Sequence, residues 1–116
     1  MSPVTLPDIY LAHGKVEIPS TYISRQFKKD GDTIKVYLEI YEPTASSVNV
    51  SYEKTDNNFV AMTKKNTQAI NLGDGWVDML YEITDSGVDN TRIKIDLITS
   101  DTNVRPLARN LRAYII

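Results

Sequence analysis

Ile34-Lys35-Val36-Tyr37-Leu38-Glu39-Ile40-Tyr41-Glu42 carries an aliphatic residue at every second position. Ile34, Val36, Leu38 and Ile40 alternate with Lys35, Tyr37, Glu39 and Tyr41. A β-strand sends successive side chains to opposite faces, so this pattern lays one aliphatic row against a core. A helix, at about 3.6 residues per turn, would scatter the four aliphatics around its circumference. The stretch is read as the central strand of an antiparallel sheet.

The same period recurs on both sides. Val48–Glu53 alternates after a small polar loop at 43–47, and the short gap predicts a hairpin with the central strand. Upstream, Thr21–Lys29 reads as the first full strand, closed by the turn residues Asp30-Gly31-Asp32. Phe59–Met62 is a brief apolar piece. Trp76–Ile83 follows Leu72-Gly73-Asp74-Gly75, with Val77, Met79, Tyr81 and Ile83 on one face. Ile93, Ile95 and Leu97 point inward from Arg92–Ile98, and Leu111–Ile116 is the last strand. Leu107–Leu111 has room for one turn of helix at most. Short strands separated by Gly and Asp turns predict an all-β fold, an antiparallel two-sheet β-sandwich of about seven or eight short strands. Residues 1–20 hold Pro3, Pro7 and Pro19, which favour extended chain. They are read as an extended N-terminal arm, with a short edge strand at Lys15–Ile18, and 21–116 as the β-sandwich domain.

Composition narrows the function classes. A length of 116 residues suits one domain with one core. A net charge of -2 gives no overall basic footprint for nucleic acid. The absence of cysteine excludes disulfides, thiol catalysis and cysteine-ligated zinc. No apolar run approaches the ~20 residues that span a bilayer as a helix. The first residues lack the basic and apolar regions of a signal peptide.

The residues that carry chemistry do not form a catalytic motif. His13 is the one histidine, so a Ser-His-Asp triad or a zinc site would depend on it alone. No nucleophile motif stands near it, and it is read as a surface or packing residue. Asp30 with Asp32, Asp74 with Asp78, and Asp85 with Asp89 could offer oxygens to calcium, but aspartate is also a preferred turn residue. No glycine-rich phosphate loop is present, and the sequon Asn49-Val50-Ser51 lies within a strand. The expectation is a chain that is not an enzyme and needs no cofactor or metal. Binding residues are easier to nominate. Tyr37 and Tyr41 project from one strand face, and Tyr52 and Trp76 join them if neighbouring strands align. Arg105, Arg109 and Arg112 cluster near the end of the sequence, read as a solvated face or as interface salt bridges.

Thr21-Tyr22-Ile23-Ser24-Arg25, the long strand ending in Pro43, Val48-Asn49-Val50-Ser51-Tyr52, and the ending Val104-Arg105-Pro106-Leu107-Ala108-Arg109-Asn110-Leu111-Arg112-Ala113 occur in an order that carries a resemblance. Residues 21–116 resemble a β-sandwich domain of tailed-bacteriophage virion proteins of the tail and baseplate. That resemblance implies a non-enzymatic structural component of the virion, placed in the tail or baseplate or in the head or neck. Its partners would be other virion proteins and copies of itself, with no nucleic acid and no membrane. The residues expected at such an interface are Ile9 and Tyr10 in the arm, Tyr37 and Tyr41 on the strand face, and Arg109 and Arg112. The alternative is a carbohydrate-binding module for host-surface glycans, with an aromatic strip that stacks on sugar rings.

Overall fold

The structure is a computed structural model that describes residues 2–4 and 20–116. The protein is all-β. The strands among those residues are β1 (Ser2–Val4), β2 (Ser20–Ile23), β3 (Phe27–Lys28), β4 (Thr33–Tyr41), β5 (Ser46–Thr55), β6 (Asn58–Ala61), β7 (Thr63–Lys64), β8 (Ile70–Gly73), β9 (Trp76–Thr84), β10 (Asn90–Thr91), β11 (Ile93–Thr99) and β12 (Leu107–Ile115). A 3-10 turn over Asn66–Gln68 is the one helical piece among the described residues, and no helix there is long and apolar enough to cross a membrane.

Every strand pairing is antiparallel. A six-stranded sheet runs β1-β12-β4-β9, with β7 and β8 both paired to the far side of β9. A four-stranded sheet runs β2-β11-β5-β6, and β3 with β10 makes a two-residue ladder. The aliphatic row of β4 lies in the middle of the larger sheet and is fully buried. One core cluster joins Ile34, Val36, Leu38 and Ile40 to Val48 and Val50 of β5 and to Ile93, Ile95 and Leu97 of β11. Those three strands come from both large sheets, so the two sheets share one core. A buried hydrogen bond also links them: the Tyr81 hydroxyl, on β9, donates to the Val48 carbonyl on β5 at 2.7 Å. Burial pushes the Tyr81 phenol well above its ordinary pKa, so this donor stays protonated.

The link from β4 to β5 departs from the expected hairpin. β4 and β5 belong to different sheets, and residues 42–45 carry the chain from one to the other. Pro43 has no N–H to continue a ladder, and Ala45 sits at φ 71°. The Pro43 carbonyl accepts from the Ser46 N–H at 3.1 Å and from its hydroxyl at 2.6 Å. The Glu42 carboxylate accepts from the Val48 N–H at 2.7 Å and from Lys64 Nζ at 2.6 and 2.7 Å. A loop of this length serves a hairpin or a crossing equally well, and these local bonds set the crossing.

The expected first strand also divides. β2 ends at Ile23, where Ser24 turns inward and its hydroxyl accepts from the Ile93 N–H at 2.9 Å. β3 then pairs with β10 instead of continuing in the four-stranded sheet. Lys29 is buried beyond it, with Nζ donating to the Gly31 carbonyl at 2.5 Å and to the Asp85 carbonyl. Among the described residues twelve strands stand where seven or eight were expected, because the edges are made of two- to four-residue pieces. Of the five long strands, β4, β5, β9 and β11 are ones whose alternation was plain, and β12 was read only from Leu111 onward. Leu107–Leu111 is not a helical turn but the start of β12. The described ends of the expected arm enter sheets: residues 2–4 run along β12, and Ser20 opens β2. Ile9, Tyr10, His13 and the edge strand expected at 15–18 lie outside the described residues.

Candidate functional site

The register of β12, β4 and β9 decides which side chains share the outer face of the six-stranded sheet. Tyr37 lies opposite Arg112 and Leu80; Glu39 lies opposite Arg109 and Asp78; Tyr41 lies opposite Leu107 and Trp76. The intervening β4 residues fill the core, so these rows face away from it. Tyr37, Tyr41, Arg109 and Arg112 therefore come together on one face. Trp76 joins them. Tyr52 does not: it is 2% exposed in the core, and its hydroxyl donates to Asp85 at 2.6 Å. Burial and the Asp85 carboxylate push its phenol up to about 12.

Arg109 and Arg112 are three residues apart, a spacing that a regular strand sends to opposite faces. A β-bulge reconciles them. The β12–β4 register shifts between Arg109 and Arg112, and Asn110 sits at φ 55°. One extra residue on β12 shifts the alternation by one place. Leu111, Ala113 and Ile115 then turn into the core, while Arg112 and Tyr114 join Arg109 outside. Asparagine is among the few side chains that tolerate the left-handed region, and here it also bonds: Nδ2 donates to Glu39 Oε2 at 2.7 Å.

The face has two ends. At one end the Tyr41 and Trp76 rings lie 5.9 Å apart, and the Arg109 guanidinium sits 3.9 Å from the Trp76 ring centroid. Arg109 Nε donates to Glu39 Oε1 at 2.9 Å, so the cation is held by a carboxylate and an aromatic face together. Gly75 makes room for this cluster, since a Cβ there would stand 2.8 Å from the Tyr41 ring. Beside it, edge strand β8 leaves Ile70 60% and Leu72 45% exposed. At the other end Tyr37 and Tyr114 meet edge to face at 5.7 Å, and Arg112 lies 5.6 Å from the Tyr37 ring. Arg112 also pairs with Asp78. Tyr37, Asp78, Arg112 and Tyr114 line an open recess of about 310 Å³. In the Tyr37 row Leu80 is 2% exposed although it stands outside the core cluster.

Glu39 ties this face together electrostatically. The Asn110 hydrogen bond, with the Arg109 hydrogen bond and charge and the Arg112 charge behind it, outweighs desolvation and holds the carboxyl below its usual 4.5. A carboxylate whose folded pKa is depressed contributes stability above its unfolded pKa and loses it as pH falls through the folded pKa. Glu53, held by Arg92, and Asp85, held by the Tyr52 hydroxyl, are shifted the same way. Glu39→Gln is therefore expected to be less stable than wild type at pH 7 and to show a shallower decline below about 4.5. Urea unfolding at stepped pH reads the difference, and parallel curves for the two proteins would contradict it.

The opposite surface is plainer. The outer face of the four-stranded sheet presents Thr21, Asn49, Ser51, Ala61 and Asp96 beside Ile23 and Ile98, 43% and 42% exposed, and Phe59, its one ring among the described residues, is flanked by Arg92 at 5.4 Å and Lys94 at 5.3 Å. The turn aspartates make local bonds: Asp85 accepts from the Gly87 N–H at 3.0 Å and Asp101 from the Asn103 N–H at 2.9 Å. Among the described residues no group of three or more histidines, aspartates or glutamates is placed to hold a metal ion.

Sequence reasoning missed Asn110, Asp78 and Tyr114 as parts of this face. The sequence carries one mark of the bulge: strict alternation back from Leu111, Ala113 and Ile115 puts Leu107 and Arg109 inward, and an arginine does not suit the core. Comparison with protein-family models, with curated proteins and with solved structures gives no match to this chain.

Proposed function

We propose that the chain is a non-enzymatic structural component of a tailed-bacteriophage particle, in the tail or baseplate or in the head or neck. Its two large sheets are taken as the layers of a β-sandwich, and the outer face of the six-stranded sheet as its contact surface. The observation that carries the reading is the gathering of Tyr37, Tyr41, Trp76, Arg109 and Arg112 on that one face. Aromatic residues and arginine are the side chains enriched where proteins meet. The adjoining edge strand β8, Ile70-Asn71-Leu72-Gly73, carries no charge or proline to discourage contact. The resemblance of residues 21–116 to virion β-sandwich domains supplies the setting. In a symmetric particle, one modest contact repeated many times becomes a firm one.

The test is quantitative peptide mapping of purified particles from the lysate that contains the chain. A virion component is expected at a fixed ratio to the other particle proteins through successive gradient steps. Recovery only in the particle-free fraction would contradict the proposal.

A further inference from the structure

We propose that the recess lined by Tyr37, Asp78, Arg112 and Tyr114 binds one ring of a neutral saccharide without cleaving it. This goes beyond the assembly role and does not depend on it: the recess lies at the Tyr37 end of the face and leaves the Tyr41 and Trp76 end for subunit contact.

The volume comes first. At about 310 Å³ the recess lies at the low end of the roughly 300–1,000 Å³ of small-molecule sites. It is open, so it suits a single ring entering from solvent. Charge comes next. Asp78 and Arg112 pair with one another, so the described lining carries no net charge to select an anion or a cation. It does offer a carboxylate beside a guanidinium. Asp78 meets Arg112 through Oδ1, and its Oδ2 has no hydrogen-bond partner among the described residues. Arg112 uses Nε on the Asn110 carbonyl at 3.2 Å and one terminal nitrogen on Asp78. Its remaining N–H groups and Asp78 Oδ2 form an acceptor next to donors, which adjacent ring hydroxyls satisfy from one side. The Tyr37 and Tyr114 hydroxyls also have no hydrogen-bond partner among the described residues. Their rings supply apolar surface for the C–H face of a sugar, the amphipathic pairing that tyrosine suits.

Cleavage is a different matter. Glycoside hydrolysis uses two carboxyl groups that flank the bond, one of them kept protonated. Among the described residues its lining has one carboxylate, tied to an arginine. The next nearest in register, Glu39, is pushed toward ionisation by Asn110 and Arg109.

The probe is saturation-transfer NMR with methyl glycosides of glucose, galactose, mannose and N-acetylglucosamine, and with glucuronic and neuraminic acids as charged controls. At least one neutral glycoside is expected to bind with a millimolar Kd, through its ring protons. Tyr114→Ala is expected to weaken that binding about tenfold. If that variant does not fold, Arg112→Lys reads the same site, because lysine cannot reproduce the planar fork and should also lose about tenfold. No signal from any neutral glycoside, binding of the charged sugars alone, or wild-type affinity in the folded variants would each overturn the proposal. Particle association is read separately, so either property can fail without the other.

Discussion

Deletion of Asn110 is expected to cost at least about 3 kcal/mol of the ~5–15 kcal/mol that holds a domain of this kind together. The deletion restores strict alternation along β12, and either half of the strand must then turn over. Turning Leu111–Ile115 would expel Leu111, Ala113 and Ile115 from the core and drive Arg112 and Tyr114 inward. Turning residues 107–109 is the cheaper response. It turns Ala108 out of the core and Arg109 toward it, and leaves both the guanidinium and a carboxylate that is only 19% exposed without a partner. Substitutions separate the backbone need from the side-chain bond. Asn110→Gly keeps access to φ 55° and loses the Glu39 hydrogen bond, for about 1 kcal/mol. Asn110→Val also forces a β-branched residue into the left-handed region, for about 2 kcal/mol or more in total. Urea unfolding of the three variants gives the order. Equal stability of the glycine and valine variants would show that the bulge geometry carries no cost.

The long strands were legible because a buried row at period two leaves an unambiguous mark. β4, β9 and β11 place their aliphatic residues where the alternation of Ile34–Ile40, Val77–Ile83 and Ile93–Leu97 puts them. Partner choice was less legible. β4 and β5 alternate equally well as neighbours in one sheet or as members of two, and periodicity does not distinguish the cases. What separates them is local chemistry at residues 42–48. The short edge pieces left little trace, because two to four residues carry no period. Part of the binding face was readable: Tyr37 and Tyr41 share a face by spacing alone. Arg109 and Arg112 were nominated by clustering, yet strict alternation would have set them on opposite faces. The inserted Asn110 puts them on the same one. Tyr52 misled because its strand lies in the other sheet and points into the core.

The second large effect concerns association. Tyr41 and Trp76 form the aromatic end of the outer face, beside exposed Ile70 and Leu72 and under the Arg109 cation. If that end is a contact surface, its large rings are the residues most able to act as anchors, at about 2 kcal/mol or more each on truncation to alanine. Losing both should weaken a self-contact by a factor of about a thousand. Their side chains stand outside the core cluster, so the domain should remain folded. Phe59 supplies a matched control, an aromatic on the outer face of the other sheet held between Arg92 and Lys94.

Mass in solution, by light scattering behind a sizing column over a wide concentration range, tests this most directly. Wild type and Phe59→Ala are expected to run as the same discrete oligomer, and the Tyr41→Ala, Trp76→Ala double variant as a folded monomer. An oligomer that persists in the double variant, or a wild-type chain that stays monomeric throughout, would contradict the outer face as a surface for self-assembly.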